Sequence, residues 1–177
     1  MKRCIGLVII LMLCGNPFVS AEEFNSYKSA SFNFIMRYPQ SWEMNTLKDM
    51  EVMSPVVKNE VAFLSPLENK DDKFRENVNV VVEDLSGRQL DSEQYAKAAD
   101  AAWLKYDNTS KIVDFQKTNL NGEVAYYTIM ENDKLKFKQY KLVKDNKAFV
   151  ITFTSEPDKF DDFLNIADNI IQSFELK

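Results

Sequence analysis

Residues 111–154 read as a series of strands that double back at short intervals, and nothing else in the chain restricts its fold as much. At their centre Asn121-Gly122 separates KIVDFQKTN from VAYYTIM. Both central positions of a type I′ turn need positive φ, so this pair predicts a two-residue hairpin. Asn132-Asp133 and Asp145-Asn146 predict two more on the same grounds. Strands are therefore expected at about 112–118, 124–131, 134–143 and 148–154, as an antiparallel meander. Several are apolar on both faces: Tyr126 and Thr128 oppose Ala125, Tyr127 and Ile129. Strands covered twice require helices on both sides of the sheet, an α+β sandwich.

The elements flanking the meander fit such a sheet. In SFNFIMRYPQSW, Phe32, Phe34 and Met36 share one face and Asn33 and Arg37 the other, a period-two strand stopped at Pro39. Val61 to Leu64 is a short apolar run. In NVNVVVEDL, Val78, Val80 and Val82 alternate with Asn77, Asn79 and Glu83. Asp91 precedes SEQYAKAADAAWLKY, which is rich in helix formers. Tyr95, Ala99, Ala102, Trp103 and Tyr106 recur there at spacings of three and four, a stripe expected to face a core.

The final segment, SEPDKFDDFLNIADNIIQSFELK, concentrates acids ahead of an apolar period. Ser155 and Asp158 form S-x-x-D, a capping-box pattern. Pro157 suits a first helical turn, and Asp161 and Asp162 lie near the positive end of the helix dipole. Phe160, Phe163, Leu164, Ala167, Ile170, Ile171 and Phe174 form the apolar stripe. Capping explains the spacing of the acids, so they are read as the start of a helix and not as a metal or catalytic cluster.

The first 21 residues carry Lys2 and Arg3, then nine apolar positions from Ile5 to Leu13, then the small-residue end Val19-Ser20-Ala21. This is the layout of a secretory signal peptide cleaved after Ala21. The run is short of the roughly 20 residues needed to span a bilayer. A rival reading lipidates Cys14: Gly15 fits it, but Leu13 is large where a small residue is wanted. Cleavage of 21 residues from 177 leaves 156, expected as one domain over 22–177. It also removes two of the 22 basic residues and none of the 27 acids, leaving a net charge of −7. An acidic domain of this kind is expected to be periplasmic or secreted and not to take nucleic acid as its partner.

The chain contains no histidine, and both its cysteines, Cys4 and Cys14, fall inside the signal. That excludes Ser–His and Cys–His nucleophiles, common zinc and copper sites, and a disulfide framework in the exported domain. With Gly6 and Gly15 also in the signal, no glycine-rich phosphate loop is left. No cofactor is expected. Two alternatives to a binding module stand: a carboxylate-based hydrolase, and a small-ligand or cation carrier using Asp71, Asp72, Glu83 and Asp84.

KLKFKQYKLVK is the other polar feature. Lys134, Lys136 and Lys138 are expected on one strand face, with Lys141 and Lys144 nearby. Two-residue turns would set Lys136 opposite Ile129, and Lys138 opposite Tyr127 and Phe153. Tyr140 and Leu142 would then meet Ile151 and Phe149. The bland reading is a solvated face whose lysines discourage aggregation. The functional one is a basic patch of Lys134, Lys136, Lys138 and Lys141 that docks an acidic protein or envelope component. Trp42 and Trp103 are read as core anchors.

The order of these elements, with Tyr38-Pro39 and Trp42 early and a strand–helix unit closing on Ser173-Phe174, resembles the PsbP-like family over residues 24–177. The resemblance implies an α-β-α sandwich and a non-enzymatic binding or assembly role. Relatives of that kind include photosystem II subunits of the thylakoid lumen, a Ran-binding nuclear protein, periplasmic DcrB-like proteins and secretion-effector chaperones. The bacterial-type signal and the lack of histidine depart from the photosynthetic branch and point to an exported, DcrB-like member.

Overall fold

Two of the three anticipated turns are two-residue hairpins. The computed structural model describes residues 22–46 and 56–177, so the signal expected over 1–21, with Cys4 and Cys14, lies outside the described residues. The strands are β1 (Phe24–Lys28), β2 (Phe34–Pro39), β3 (Glu43–Asn45), β4 (Val57–Leu64), β5 (Asn77–Asp84), β6 (Lys111–Leu120), β7 (Glu123–Glu131), β8 (Lys136–Lys144), β9 (Lys147–Ser155) and β10 (Glu175–Leu176). Among the described residues two helices, α1 (Ser92–Tyr106) and α2 (Phe160–Gln172), complete an α+β architecture. All strand pairs are antiparallel, in a seven-stranded sheet ordered β3-β4-β5-β9-β8-β7-β6 and a three-stranded sheet ordered β1-β2-β10.

Asn121 and Gly122 adopt φ of 48° and 95°, and Asp145 and Asn146 φ of 49° and 58°, as type I′ turns require. The third turn differs from the expectation. Asn132 Oδ1 accepts from the backbone N–H of both Lys134 and Leu135, and Asn132 N–H donates to Leu135 O, closing a four-residue loop. An Asx side chain that mimics a backbone turn makes this loop stable in itself. The β7–β8 register consequently moves by two residues, pairing Lys136 with Glu131, Lys138 with Ile129 and Tyr140 with Tyr127. A shift of two keeps every side chain on its expected face. The β8–β9 register matches the count, with Lys138, Tyr140 and Leu142 opposite Phe153, Ile151 and Phe149.

The first helix starts where the sequence places it, just after Asp91, and the second does not. Asp91 and Gln94 form a full capping box at α1: Asp91 Oδ1 accepts from Gln94 N–H at 2.8 Å and Gln94 Oε1 from Asp91 N–H at 3.1 Å. The capping box expected from Ser155 and Asp158 does not form. Ser155 ends β9 and its hydroxyl turns to Glu156 O and Glu76 Oε1, so a turn intervenes and α2 starts at Phe160. Asp161 and Asp162 do occupy its first turn. Along α1 the buried stripe is Ser92, Tyr95, Ala96 and Asp100, while Ala102 and Tyr106 face water.

The main core joins Val78, Val80 and Val82 of β5, Phe149, Ile151 and Phe153 of β9, and Tyr140 and Leu142 of β8 to Phe34 and Met36 of β2 and Ala167, Ile170 and Ile171 of α2. Each large apolar side chain buried there contributes about 1.5–3 kcal/mol. Trp42 is an anchor as expected, edge-on to Phe163. Tyr38 stacks on Phe63, and Phe174 packs with Phe34 and Phe149. A smaller cluster of Leu85, Tyr95 and Ala148 lies under α1. In β4 a register shift between Asn59 and Val61 turns Glu60 inward, where Tyr27 OH and Ser29 Oγ donate to it at 2.8 and 2.7 Å. Burial and that carboxylate push the Tyr27 phenol well above its ordinary value.

Candidate functional site: a groove beside the first helix

Alternate residues of β8 serve different helices. Lys138 Nζ donates to both carboxylate oxygens of Asp168 on α2, at 2.8 and 2.9 Å, while Lys141 Nζ donates to Asp100 Oδ1 on α1 at 2.6 Å. The lysine run is therefore not one patch. Lys134 precedes the strand and is exposed. Lys136 is half-buried, with Nζ 4.4 Å from the Phe160 ring centroid and 4.0 Å from Glu131 Oε2. Lys138 is buried, with its ammonium also over the rings of Tyr127 and Tyr140. Burial works against that ammonium, but the bonds to Asp168 and Tyr140 outweigh it and move its pKa upward. Lys141 is 1% exposed, and there burial prevails over Asp100, so its pKa is depressed.

Helix α1 packs over β7 and β8 and, among the described residues, leaves Asn79 and Val81 of β5 and Val150, Thr152 and Thr154 of β9 open beside it. The result is a groove of about 350 Å³. Its helix wall is Tyr95, Ala99 and Trp103, and its sheet floor includes Asn79, Val81, Gln139, Val150, Thr152 and Thr154. Trp103 is thus a groove residue and not the core anchor expected. It stands edge-on to Phe137, with centroids 5.3 Å apart, and donates from Nε1 to Ser110 Oγ.

Both charges lining the groove are neutralised inside the protein. Lys141 Nζ donates to Thr128 Oγ1 at 3.0 Å as well as to Asp100, and Thr128 donates to Asp100 Oδ2 at 2.7 Å, closing a buried triangle. Glu83 accepts from Tyr95 OH at 2.7 Å and from Arg88 at 2.6 Å. Burial first, and Glu83 second, raise the Tyr95 phenol far above its usual value. The neutral polar residues behave differently. Asn79, Thr152 and Gln139 are direct cross-strand partners in one row across β5, β9 and β8. The side chains of Asn79, Gln139, Thr152 and Thr154 make no hydrogen bond to any described residue. Thr152 is 7% exposed, and since no buried side-chain nitrogen or oxygen among the described residues lacks a partner, its hydroxyl is in reach of solvent.

The acids considered for a cation site do not converge. Asp72 accepts from the backbone of Glu68 and Phe74, Asp84 from Ser86, and Glu83 is committed to the groove. Among the described residues no group of three or more Asp, Glu, His or Cys stands close enough to hold a metal ion. No helix among them is long and apolar enough to cross a membrane. The groove escaped the sequence reading because Asp100 and Lys141 meet across 41 positions. The one available signal was the row of neutral polar residues on strands otherwise rich in Val, Phe and Ile.

No family model and no curated protein matches the chain. Solved structures do. The cyanobacterial PsbP (CyanoP) of Synechocystis sp. PCC 6803 superposes with a TM-score of 0.64 at 16% identity, covering 93% of this chain and 99% of that one. PA94, a Pseudomonas aeruginosa protein of unknown function, gives 0.55 at 12% identity over 87% and 97%. The Saccharomyces cerevisiae Ran-binding protein Mog1p gives 0.54 at 6% identity over 88% and 96%. The chain carries the PsbP-like fold.

Proposed function

We propose that the chain is a non-enzymatic binding or assembly module exported to the cell envelope, holding its partner in the groove beside α1. The observation that carries this reading is the groove itself: a mixed apolar and neutral-polar cleft in which the side chains of Asn79, Gln139, Thr152 and Thr154 bond to no described residue. The reading takes α1 and α2 as covering opposite faces of the seven-stranded sheet, supported by the alternation of their contacts along β8. Beside that cover, among the described residues, the groove strip on the α1 side is open. A signal layout at residues 1–21 supports export to the periplasm or beyond. The same fold in Mog1p, a Ran-binding protein, supports binding over catalysis. Of the four lysines assigned to a partner, Lys134 and Lys136 keep exposed surface, so a secondary contact with an acidic partner is proposed for these two.

The test is a photo-crosslinking residue at Val81 in the full chain, expressed in its native cell. The expected result is a discrete adduct in the envelope fraction that disappears when Ala99→Trp fills the groove. A chain that fractionates with the cytoplasm, or adducts indifferent to Ala99→Trp, would overturn the reading.

A further inference from the structure

Resting on the groove as the binding site, we infer that its ligand is an uncharged oligosaccharide. The argument begins with charge. Lys141 is closed off by Asp100 and Thr128, and Glu83 by Tyr95 and Arg88, so neither side chain has a free counter-charge to offer. An anionic or cationic ligand would lose its hydration there without compensation. The groove complements a neutral molecule.

Hydrogen bonding narrows the class further. Asn79, Thr152 and Gln139 form a row with neighbours about 4.8 Å apart, the spacing of adjacent strands, and Thr154 lies beside it. Together they present two amides and two hydroxyls, each able both to donate and to accept. An apolar helix laid here would bury these groups unpaired, at a cost. An extended peptide recognised through its main chain needs a free strand edge, and the floor strands β5, β9 and β8 are each paired on both sides. A string of sugar hydroxyls needs neither an apolar floor nor a free edge. Each hydroxyl is a donor and an acceptor at once, which is what the row can answer.

The wall supplies the rest. The half-buried Trp103, backed edge-on by Phe137, adds aromatic surface on which the C–H face of a sugar ring can lie, while Tyr95 closes the wall. A volume of about 350 Å³ is at the lower end of small-molecule sites, which run from about 300 to 1,000 Å³. That suits one or two sugar rings lying in the groove, with the remainder of the chain outside.

The experiment is an NMR titration of the ¹⁵N-labelled domain with maltotriose, cellotriose and tri-N-acetylchitotriose. At least one is expected to shift the side-chain amide signals of Asn79 and Gln139 and the Trp103 indole signal, leaving Trp42 unmoved. Gln139→Ala and Thr152→Val should each weaken that sugar's binding about fivefold, the usual size of one lost neutral hydrogen bond. No shift with any of the three sugars at saturating concentration would overturn the inference. So would binding that Gln139→Ala and Thr152→Val leave unchanged. The crosslinking arm separates this failure from failure of the groove: a Val81 adduct that is protein, resistant to glycosidases, keeps the binding module and removes the sugar.

Discussion

Lys141 and Asp100 form an ion pair at 2.6 Å with side chains only 1% and 5% exposed, and Thr128 hydrogen-bonds to both. A pair this deep contributes less than its Coulomb energy, because both ions gave up their water, yet removing one partner strands the other. Lys141→Met is expected to cost about 3–5 kcal/mol in urea unfolding, whereas Lys141→Met with Asp100→Leu should recover most of that loss. The pH dependence has a definite sign. The folded-state lysine pKa is depressed, so between that value and the ordinary 10.5 the unfolded chain binds the extra proton. Stability assignable to this group should rise with pH across that alkaline window, and Lys141→Met should not show the rise.

Lys138 and Asp168 tie the middle of the sheet to α2 by two hydrogen bonds. Reversal by Lys138→Glu would set two carboxylates together beside the rings of Tyr127 and Tyr140. The side chains are 10% and 32% exposed, so solvent weakens the effect relative to the Lys141 pair. A loss of about 1–3 kcal/mol is expected in chemical denaturation. Lys138→Glu combined with Asp168→Lys should restore part of it. Lys134→Glu, on an exposed loop position, should change stability by less than about 0.5 kcal/mol.

Glu76 is buried between Ser65 and Ser155, whose hydroxyls stand 3.3 and 3.5 Å from its carboxylate oxygens. Burial raises its pKa, and nearby Asp72 and Glu156 add to the rise. Between 4.5 and the raised folded value, the folded state holds a proton that the unfolded state has released. This group's stability contribution is full below 4.5 and is lost as pH rises through the folded value. Glu76→Gln should raise the melting temperature at pH 7, and its advantage should shrink towards pH 4. Equal gains at both pH values would refute the assignment.

Asn121 joins the β6–β7 turn to the end of α2. Its Nδ2 donates at 2.9 Å to Gln172 O, a carbonyl of the last turn of α2, and at 2.6 Å to Phe174 O just beyond the helix. Asn121→Gly keeps the positive φ and removes only these bonds, at an expected cost of about 1–3 kcal/mol for two. Asn121→Ala should cost roughly 1 kcal/mol more, because alanine resists the left-handed conformation. Thermal melts of the two variants separate the contributions.

What the sequence disclosed was local. Val78, Val80 and Val82 announce their strand by period two, and Asn121-Gly122 and Asp145-Asn146 announce their turns by the φ they permit. Asn132 misled because its side chain, bonding to its own loop and to Asp107, builds a longer connection than its dipeptide implies. Ser155 misled because β9 runs on through it and its hydroxyl bonds to Glu156 O and the distant Glu76 instead of to a helix N–H. Short strands such as β1, β3 and β10 have no pattern of their own and exist only through pairing with β2 or β4. The groove is less legible still. It depends on where α1 comes to rest across the sheet, and Tyr95, Trp103 and Gln139 carry no mark of that in sequence.

The seam between β5 and β9, where Val82 lies opposite Phe149, also governs the order in which the molecule can assemble. Every other junction in the seven-stranded sheet connects strands adjacent in the chain. The β6–β9 meander and the β3–β5 ribbon can therefore each zip up through nearby contacts. The seam must close a loop that contains α1, β6, β7 and β8, and such closures are slow. Until it closes, Val80, Val82, Phe149 and Ile151 are unburied together. A mutation at these four positions is expected to act mainly on the folding rate, whereas one in the Asp145-Asn146 turn should act on how early the meander appears.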